Sequence, residues 1–333
     1  MIRRDGNDRW LLISQVEHAR LALDLARTWG NAEVPGLPLL DWLLPAIRDH
    51  DDGWLEWEQS PTRHDDGRPT SFTEMSAGDS VEIWSRSIQI CASGPPSFAE
   101  ALRRLRSDGA DVSTAEATAL EDLLQGARRF RRDEFVAELA RHPRITEEIA
   151  AATADRFERQ GLFRPFGRVL GQDFYEINLA SAGEAPLAGL WVSGHFQALA
   201  RQAMEHREDD PDQVELLNGF IRDQEHRCAA WREATADFAG EDLERVIDTG
   251  LRYLQLFDRM SLWLCMAERT EPWEARLSEE RSFEFRPETG RIIQVAPWPF
   301  GEGALELAAT AFDGERTVVL PWRLIPGESH IPP

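Results

Sequence analysis

The 333 residues, 42% of them hydrophobic, provide enough apolar material for the core of one large domain or of two ordinary ones. The formal net charge of −22 at pH 7 argues against nucleic acid or an anionic membrane as a partner. All 37 basic side chains are arginine, which excludes Schiff-base catalysis and the lysine of a phosphate-binding P-loop.

The hydrophobic periodicity predicts helices over most of the chain. In chain order, we expect a strand or cap at 9–13, helices at 14–28 and 39–50, a surface loop at 56–78, a helix at 80–91, charged helices at 97–160, and long helices at 188–206, 212–236 and 243–267. Ser14 to Glu17 predict a capping box at the start of the first helix. After Pro272, short alternating segments broken by Pro and Gly predict a β tail.

These elements predict a mainly α protein. Residues 1–91 and 187–270 are expected to form the two halves of one helical core, to which 271–333 add a small C-terminal β segment. Residues 92–186 are expected to form a helical insertion or lid between the two halves.

The cysteines and the N-terminus predict a soluble, cytoplasmic protein. The three cysteines are far apart and form no CxxC pair, which fits a reducing compartment. The N-terminus carries Asp5, Asn7 and Asp8 where a signal peptide has an apolar stretch. No apolar run approaches the roughly 18 residues that a membrane helix needs.

Histidine and aspartate side chains mark a candidate metal site. Of the eight histidines, four that fall in or at the end of predicted helices are candidate ligands: His18, His50, His195 and His226. Asp51 follows His50 directly, and Asp258 lies in the otherwise apolar stretch YLQLFDRMSLWLC, where an aspartate is costly to bury unless it is paired or bound to a cation. Imidazole and carboxylate together suit Fe, Mn, Ni, Co or Zn.

The order His, His-Asp, His, His, Asp resembles the ligand order of the HD-domain superfamily of metal-dependent phosphohydrolases. More narrowly, the chain resembles an uncharacterised bacterial HD-like family that carries a domain-of-unknown-function label. The similar strings are HDDGWLEWE at 50–58, GRPTSF at 67–72, SGHF at 193–196 and LFDRMSLWLC at 256–265. The resemblance covers roughly 1–91 and 187–326 and implies an HD-domain-like helical bundle. It does not account for the insertion.

The resemblance also implies a ligand set. One divalent transition metal ion would be held by His18, His50, Asp51 and Asp258. In members with two metals, Asp51 would bridge to a second ion, which His195 and His226 would complete. The neighbours Gln224 and Glu225 remain alternatives to His226, because one turn of error on that helix would exchange them.

The chain departs from the family pattern after the His-Asp pair. Many members have a lysine there that acts on the substrate, whereas this chain has Asp52-Gly53-Trp54. We therefore expect an arginine to bind the substrate, since a guanidinium matches the oxygens of a phosphate or carboxylate. The candidates are Arg63, Arg68 and Arg259. Trp54 is expected to line the pocket because it follows the metal pair closely.

Three functions remain open at this point. The preferred one is hydrolysis of a phosphoester, such as a nucleotide, by a metal-activated water, with a small phosphorylated molecule as the substrate. The same ligands could instead hold a mixed-valent di-iron centre, as in the oxygenase branch of the superfamily. A ligand-binding module without turnover is the third, and the missing lysine and the insertion keep it open. The sequence does not fix the oligomeric state.

Overall fold

The computed structural model describes residues 1–5, 10–107, 111–125, 128–207, 209–235, 242–266, 271–288, 291–301 and 303–327. The helices of these ranges are α1 (Gln15–Arg27), α2 (Leu40–Asp49), α3 (Trp54–Glu58), α4 (Ala77–Ala92), α5 (Phe98–Leu105), α6 (Thr114–Leu124), α7 (Arg132–Ala140), α8 (Glu147–Arg159), α9 (Pro186–Glu205), α10 (Pro211–Ala234) and α11 (Leu243–Cys265). The strands are β1 (Ile2–Asp5), β2 (Trp10–Ile13), β3 (Arg129–Arg131), β4 (Phe163–Val169), β5 (Gln172–Ile177), β6 (Trp273–Arg276), β7 (Ser282–Pro287), β8 (Ile292–Ala296), β9 (Leu305–Phe312) and β10 (Thr317–Pro326). No helix in these ranges is both long enough and apolar enough to cross a membrane.

The fold is α/β, with about 51% helix and 21% strand, and the expectation of a mainly α bundle with a small C-terminal β segment is wrong. Seven strands form one curled mixed sheet, a half-barrel, in the order β1-β2-β9-β10-β8-β7-β6. The N-terminal hairpin joins the C-terminal strands where Leu12 pairs with Phe312. The expectation failed because this pairing is set by contacts between the two ends of the chain, which local periodicity does not show.

The long helices and the large sheet share one hydrophobic core. Its centre is Trp29, just after α1, whose indole makes edge contacts with Tyr253 and Phe257 of α11 and with Phe283 and Phe300 of the C-terminal region. Centroid distances from 4.9 to 6.2 Å place these rings in the favourable edge-to-face range. This core fixes α1 and α11, two of the elements that carry the site.

The start of α1 differs from the expected capping box. The hydroxyl of Ser14 accepts a hydrogen bond from the amide of Glu17 at 3.0 Å, so the N-cap prediction is confirmed. The Glu17 carboxylate, however, pairs with Arg131 and accepts a hydrogen bond from the amide of Thr310 at 2.9 Å. Glu17 thus joins α1 to the large sheet and to the middle segment of the chain.

The segment expected to be a helical insertion contains a small sheet as well as helices. Strands β3, β5 and β4 form an antiparallel sheet, which packs with α5 to α8 around a hydrophobic core separate from that of the main body. Phe130, Phe135, Phe157 and Phe163 form the aromatic centre of that second core. We call the segment from α5 to β5 the insertion.

Candidate metal centre

Three parts of the fold bring two histidines and two aspartates to one buried point. His18 lies on α1, His50 is the C-cap of α2, Asp51 follows in the turn before α3, and Asp258 lies on α11. Each contributes one nitrogen or oxygen atom, and these four atoms lie within 4.8 Å of one another. The structure thus brings together the four residues for which the resemblance implies a single metal ion.

The nitrogens and oxygens of the cluster face each other at short range. His18 Nε2 lies 2.7 Å from Asp51 Oδ2 and 3.7 Å from Asp258 Oδ1. His50 Nε2 lies 3.5 Å from Asp51 Oδ2 and 3.4 Å from Asp258 Oδ1. All four side chains are at least 93% buried. Their mutual interactions are therefore screened little by water.

The turn that carries His50 and Asp51 depends on a glycine. The amide of Gly53 donates to the hydroxyl of Ser87 on α4 at 3.1 Å. A Cβ at position 53 would lie 2.4 Å from the carbonyl oxygen of Ile83 and 2.5 Å from Ser87 Oγ. The φ angle of Gly53 is −63°, so space and not backbone freedom requires glycine here. Glycine lets the turn formed by residues 50–53, which we call the ligand turn, pack directly on α4.

Hydrogen bonds on the far side of each imidazole orient the ring. His50 Nδ1 lies 2.7 Å from the carbonyl oxygen of Ile47, a group that can only accept, so Nδ1 carries the proton. His18 Nδ1 lies 2.9 Å from Ser261 Oγ, and the Ser261 hydroxyl donates to the carbonyl of Asp258 at 2.9 Å. Ser261 Oγ is then an acceptor for His18 Nδ1–H. In neutral rings, both Nε2 lone pairs consequently face the two carboxylates.

This arrangement fits a bound cation. His50 Nε2 is buried and has no hydrogen-bond partner among the described residues. A lone pair that faces a carboxylate is repelled unless a proton or a metal ion lies between them. Metal-binding histidines characteristically donate their other ring N–H to a carbonyl or similar acceptor, as His18 and His50 do here. The donor set of two nitrogens and two oxygens suits Fe, Mn, Ni, Co or Zn.

The electrostatics of the metal-free cluster point the same way. Burial works to lower the pKa of His50, but Asp51 and Asp258 outweigh it and raise that pKa to about 9. Burial works to raise the pKa of Asp258, but His195, His50 and His18 hold it well below its usual range. The pKa of Asp51 is also lowered, by His50 and His18 against the effect of burial. Both carboxylates are therefore charged at neutral pH and attract a cation.

His195 lies at the edge of the cluster. It is buried on α9, and its Nε2 lies 4.0 Å from Asp258 Oδ2. Its ring centroid is 5.5 Å from that of His50, with the two rings perpendicular. Burial lowers the pKa of His195 to about 4, so the ring is neutral at physiological pH. His195 is a neighbour of the four-residue cluster and does not belong to it.

The structure does not bring His226 to this point. His226 is exposed on α10, whereas the buried residue of that stretch is Gln224, whose Oε1 lies 3.4 Å from Ser193 Oγ. Glu225 is also exposed and lies 3.5 Å from Arg201. None of these contacts involves a residue of the cluster.

The expected substrate-contacting side chains also make their contacts elsewhere. Arg63 is exposed and donates to the carbonyl of Gly67, and Arg68 lies 3.4 Å from Glu74. Arg259 lies on the exposed face of α11, and its guanidinium donates to the carbonyls of Gln255 and Arg276. Trp54 is 4% exposed and packs in a small apolar cluster with Met75 and Ile83. In each case the reason is local packing that residue type alone does not reveal.

Sequence reasoning missed the residues that orient the two imidazoles of the cluster. Ser261 is fully buried and lies three positions after Asp258, on the same face of α11. A small hydroxyl residue within an apolar helical stretch was the available signal. The carbonyl of Ile47 carries no signal in the sequence, because any residue would supply it.

The fold and the site define an α/β protein with a buried His/Asp cluster that could hold a metal ion. The chain belongs to the family described as Protein of unknown function (DUF3891), whose model matches residues 1–96 and 175–312. The matched ranges contain all four cluster residues and omit most of the insertion. The match does not link the chain to the HD-domain superfamily. No curated protein and no solved structure matches the chain.

Proposed function

We propose that this protein is a metal-dependent hydrolase of a small phosphoester, with a ligand set of the HD-domain type. The observation that carries the proposal is the buried cluster of four donor atoms, in which His50 Nε2 lies 3.5 and 3.4 Å from two ionised carboxylates. A group of this kind is costly to bury unless a cation completes it. The resemblance in ligand order supports the choice of phosphoester hydrolysis among metal-dependent reactions.

The ion would be held by His18, His50, Asp51 and Asp258. When bound, a divalent metal supplies a water molecule of lowered pKa and polarises a phosphoryl oxygen. The chain's own residues hold the imidazoles in the tautomer that presents Nε2, through Ser261 and the carbonyl of Ile47.

Burial of the ligands excludes bulk water from the centre, which strengthens every charge interaction there. We assign to His195 the binding of substrate beside Asp258, since a neutral imidazole can donate or accept a hydrogen bond at that place. The outward position of His226 removes one expected ligand of a second ion. Hydrolysis at a single metal ion is therefore preferred to the di-iron oxygenase alternative.

Metal content provides the first test. The wild-type protein, purified without added metal or chelator, should contain about one transition-metal ion per chain by elemental analysis. His50→Ala should contain less than about a tenth of that amount, because it removes one of the four donor atoms of the cluster. His226→Ala is the matched control, since it deletes an exposed histidine outside the cluster and should leave the metal content unchanged.

Turnover provides the second test. Wild-type protein loaded with Mn²⁺, Fe²⁺, Co²⁺ or Ni²⁺ should hydrolyse at least one of p-nitrophenyl phosphate, bis-p-nitrophenyl phosphate and a panel of nucleotides, and His50→Ala should not. Stoichiometric metal without turnover on any of them would reject the hydrolase proposal. Two irons per chain with a half-reduced paramagnetic signal would favour the oxygenase instead.

A further inference from the structure

Among the described residues, two of the insertion form hydrogen bonds with residues 48–52, the segment that carries His50 and Asp51. They are Arg129 of β3 and Glu134 of α7, and both lie outside the ranges that the family model matches. Their partners are Arg20 on α1 and Arg48 at the end of α2, two residues before His50. The insertion is therefore connected to the metal centre through buried arginines.

Glu134 supplies one oxygen to both arginines. Its Oε1 accepts from Arg20 Nε at 2.8 Å and from Arg48 Nη2 at 2.7 Å. The carbonyl oxygen of Arg129 accepts from Nη2 of each arginine at 3.3 Å. The side chains of Arg20 and Arg48 are only 11% and 5% exposed. Such charge-assisted hydrogen bonds of buried guanidinium groups fix their orientation.

The two arginines in turn hold the residues on either side of the ligand pair. Arg20 Nη1 donates to the carbonyl of Arg48 at 2.5 Å and to Asp52 Oδ1 at 3.3 Å. Arg48 Nη1 donates to Asp49 Oδ1 at 2.6 Å. Arg129 Nη1 donates to the carbonyl of Asp52 at 3.0 Å. The backbone from 48 to 52, with the two ligands at its centre, is thus held at both ends.

We propose that Glu134 is a positioning residue of the metal centre, through which the insertion holds the His50–Asp51 turn in the geometry that binds metal. The inference rests on the proposed metal site. It assigns to the insertion a role in that site. Without the charge of the Glu134 carboxylate, Arg20 and Arg48 lose the carboxylate oxygen to which both donate, and only the neutral carbonyl of Arg129 remains as an acceptor that they share. Their repulsion then displaces Arg48, and with it the adjacent ligands.

The chain offers a matched control on the same helix. Glu138, one turn after Glu134 on α7, also joins the insertion to α1, through two hydrogen bonds from Arg27 at 2.8 and 2.9 Å. The Glu138 side chain is 16% exposed, compared with 10% for Glu134. Neither Glu138 nor Arg27 contacts residues 48–52 in any of these bonds. Glu138→Gln therefore removes an equivalent ion pair without touching the ligand turn.

The experiment compares Glu134→Gln, Glu138→Gln and the wild type. The apparent dissociation constant for Co²⁺ is measured by competition with a chelator, the Co²⁺ absorption spectrum reports ligand geometry, and the melting temperature of the metal-free proteins reports folding. For Glu134→Gln we expect about a tenfold weaker Co²⁺ affinity and an altered spectrum. A loss of this size is typical when a residue that orients metal ligands is substituted. We expect the Co²⁺ affinity of Glu138→Gln to stay within about twofold of wild type. Its melting temperature should fall less than that of Glu134→Gln, because the arginines that pair with Glu138 are more exposed.

The outcomes are distinguishable. If wild type does not bind Co²⁺, the proposed metal site itself fails. If wild type binds Co²⁺ and Glu134→Gln matches it in affinity and spectrum, or both variants lose affinity equally, the positioning role is rejected and the metal site stands. If Glu134→Gln does not fold, Arg129→Met replaces it, because that substitution removes the bond to the Asp52 carbonyl and leaves the Glu134 carboxylate in place. The other contacts that it removes, with Glu176 and with the Phe166 ring, lie within the insertion. Arg129→Met should then weaken Co²⁺ binding by about threefold, and unchanged binding would reject the proposal.

Discussion

Ser261→Ala tests whether the orientation of His18 sets metal affinity. The substitution removes the oxygen that accepts the proton of His18 Nδ1 at 2.9 Å. With no acceptor on that side, the ring gains by moving its proton to Nε2, where Asp51 Oδ2 lies 2.7 Å away. A protonated Nε2 cannot bind a metal ion. The new hydrogen bond thus competes directly with the metal.

The size of the effect follows from the lost hydrogen bond. A buried polar group left without its partner costs about 1–3 kcal/mol, which corresponds to a loss of metal affinity between about fivefold and 150-fold. Substitution of a residue that hydrogen-bonds to a metal ligand typically lowers metal affinity by about 10- to 100-fold. We therefore expect Ser261→Ala to bind Mn²⁺ or Co²⁺ about tenfold or more weakly than wild type.

The assay is a chelator-competition titration with a matched control. Ser193→Ala deletes an equally buried hydroxyl, which donates to Gln224, accepts from Gln197 and Cys228, and bonds to no residue of the cluster. This control should keep the wild-type affinity within about twofold. Equal affinities for wild type and Ser261→Ala, with binding still abolished in His50→Ala, would show that the ring orientation does not matter as argued here.

Three further predictions concern the ligand turn and its surroundings. Gly53→Ala should destabilise the protein by about 1–3 kcal/mol and weaken metal binding, because the new Cβ would lie 2.4 Å from the carbonyl oxygen of Ile83. Urea unfolding measures this loss of stability, and an unchanged unfolding midpoint would contradict the packing described for Gly53. Burial opposes ionisation of Glu134, but Arg20 and Arg48 outweigh it and lower its pKa to about 2. The ionised Glu134 carboxylate should therefore add about 3 kcal/mol to the free energy of unfolding of the metal-free protein above pH 5. This contribution is lost as the pH falls from 4.5 to 2. The free energies of unfolding of wild type and Glu134→Gln, measured in urea, should converge over that pH interval. A difference that stays constant with pH would contradict the lowered pKa of Glu134. Since the pKa of His50 is about 9 without metal, ion binding at pH 7 should release about one proton, measured by calorimetry in buffers of different ionisation enthalpy; zero release would be inconsistent with a protonated His50.

The four residues of the cluster could be selected from the sequence because their signals are local. An aspartate within the apolar helical stretch around Asp258 needs a partner wherever that helix lies, and the dipeptide His50-Asp51 at a helix end places two ligand types together. His226 was misplaced because α10 alternates polar and apolar residues with a weak pattern. The His226 side chain is exposed, whereas that of Gln224, two residues earlier on the same helix, is buried.

The fold class and the contacts of the insertion depend on long-range pairing. Nothing near Leu12 indicates that its strand will pair with β9 near the other end of the chain. Glu134 lies in RRDEFVAELARH, where the sequence does not distinguish it from the other acidic residues. Only its contacts with Arg20 and Arg48 in the folded protein do so. Such contacts are decided by tertiary packing, which sequence periodicity does not encode.

Anomalous diffraction tests the central claim most directly. Crystals of the protein soaked with Mn²⁺ and measured above and below the Mn absorption edge should show a strong anomalous peak enclosed by His18, His50, Asp51 and Asp258, and crystals of His50→Ala should lack it. A wild-type map with no peak among these four side chains, or with its strongest peak at another site, would contradict the account.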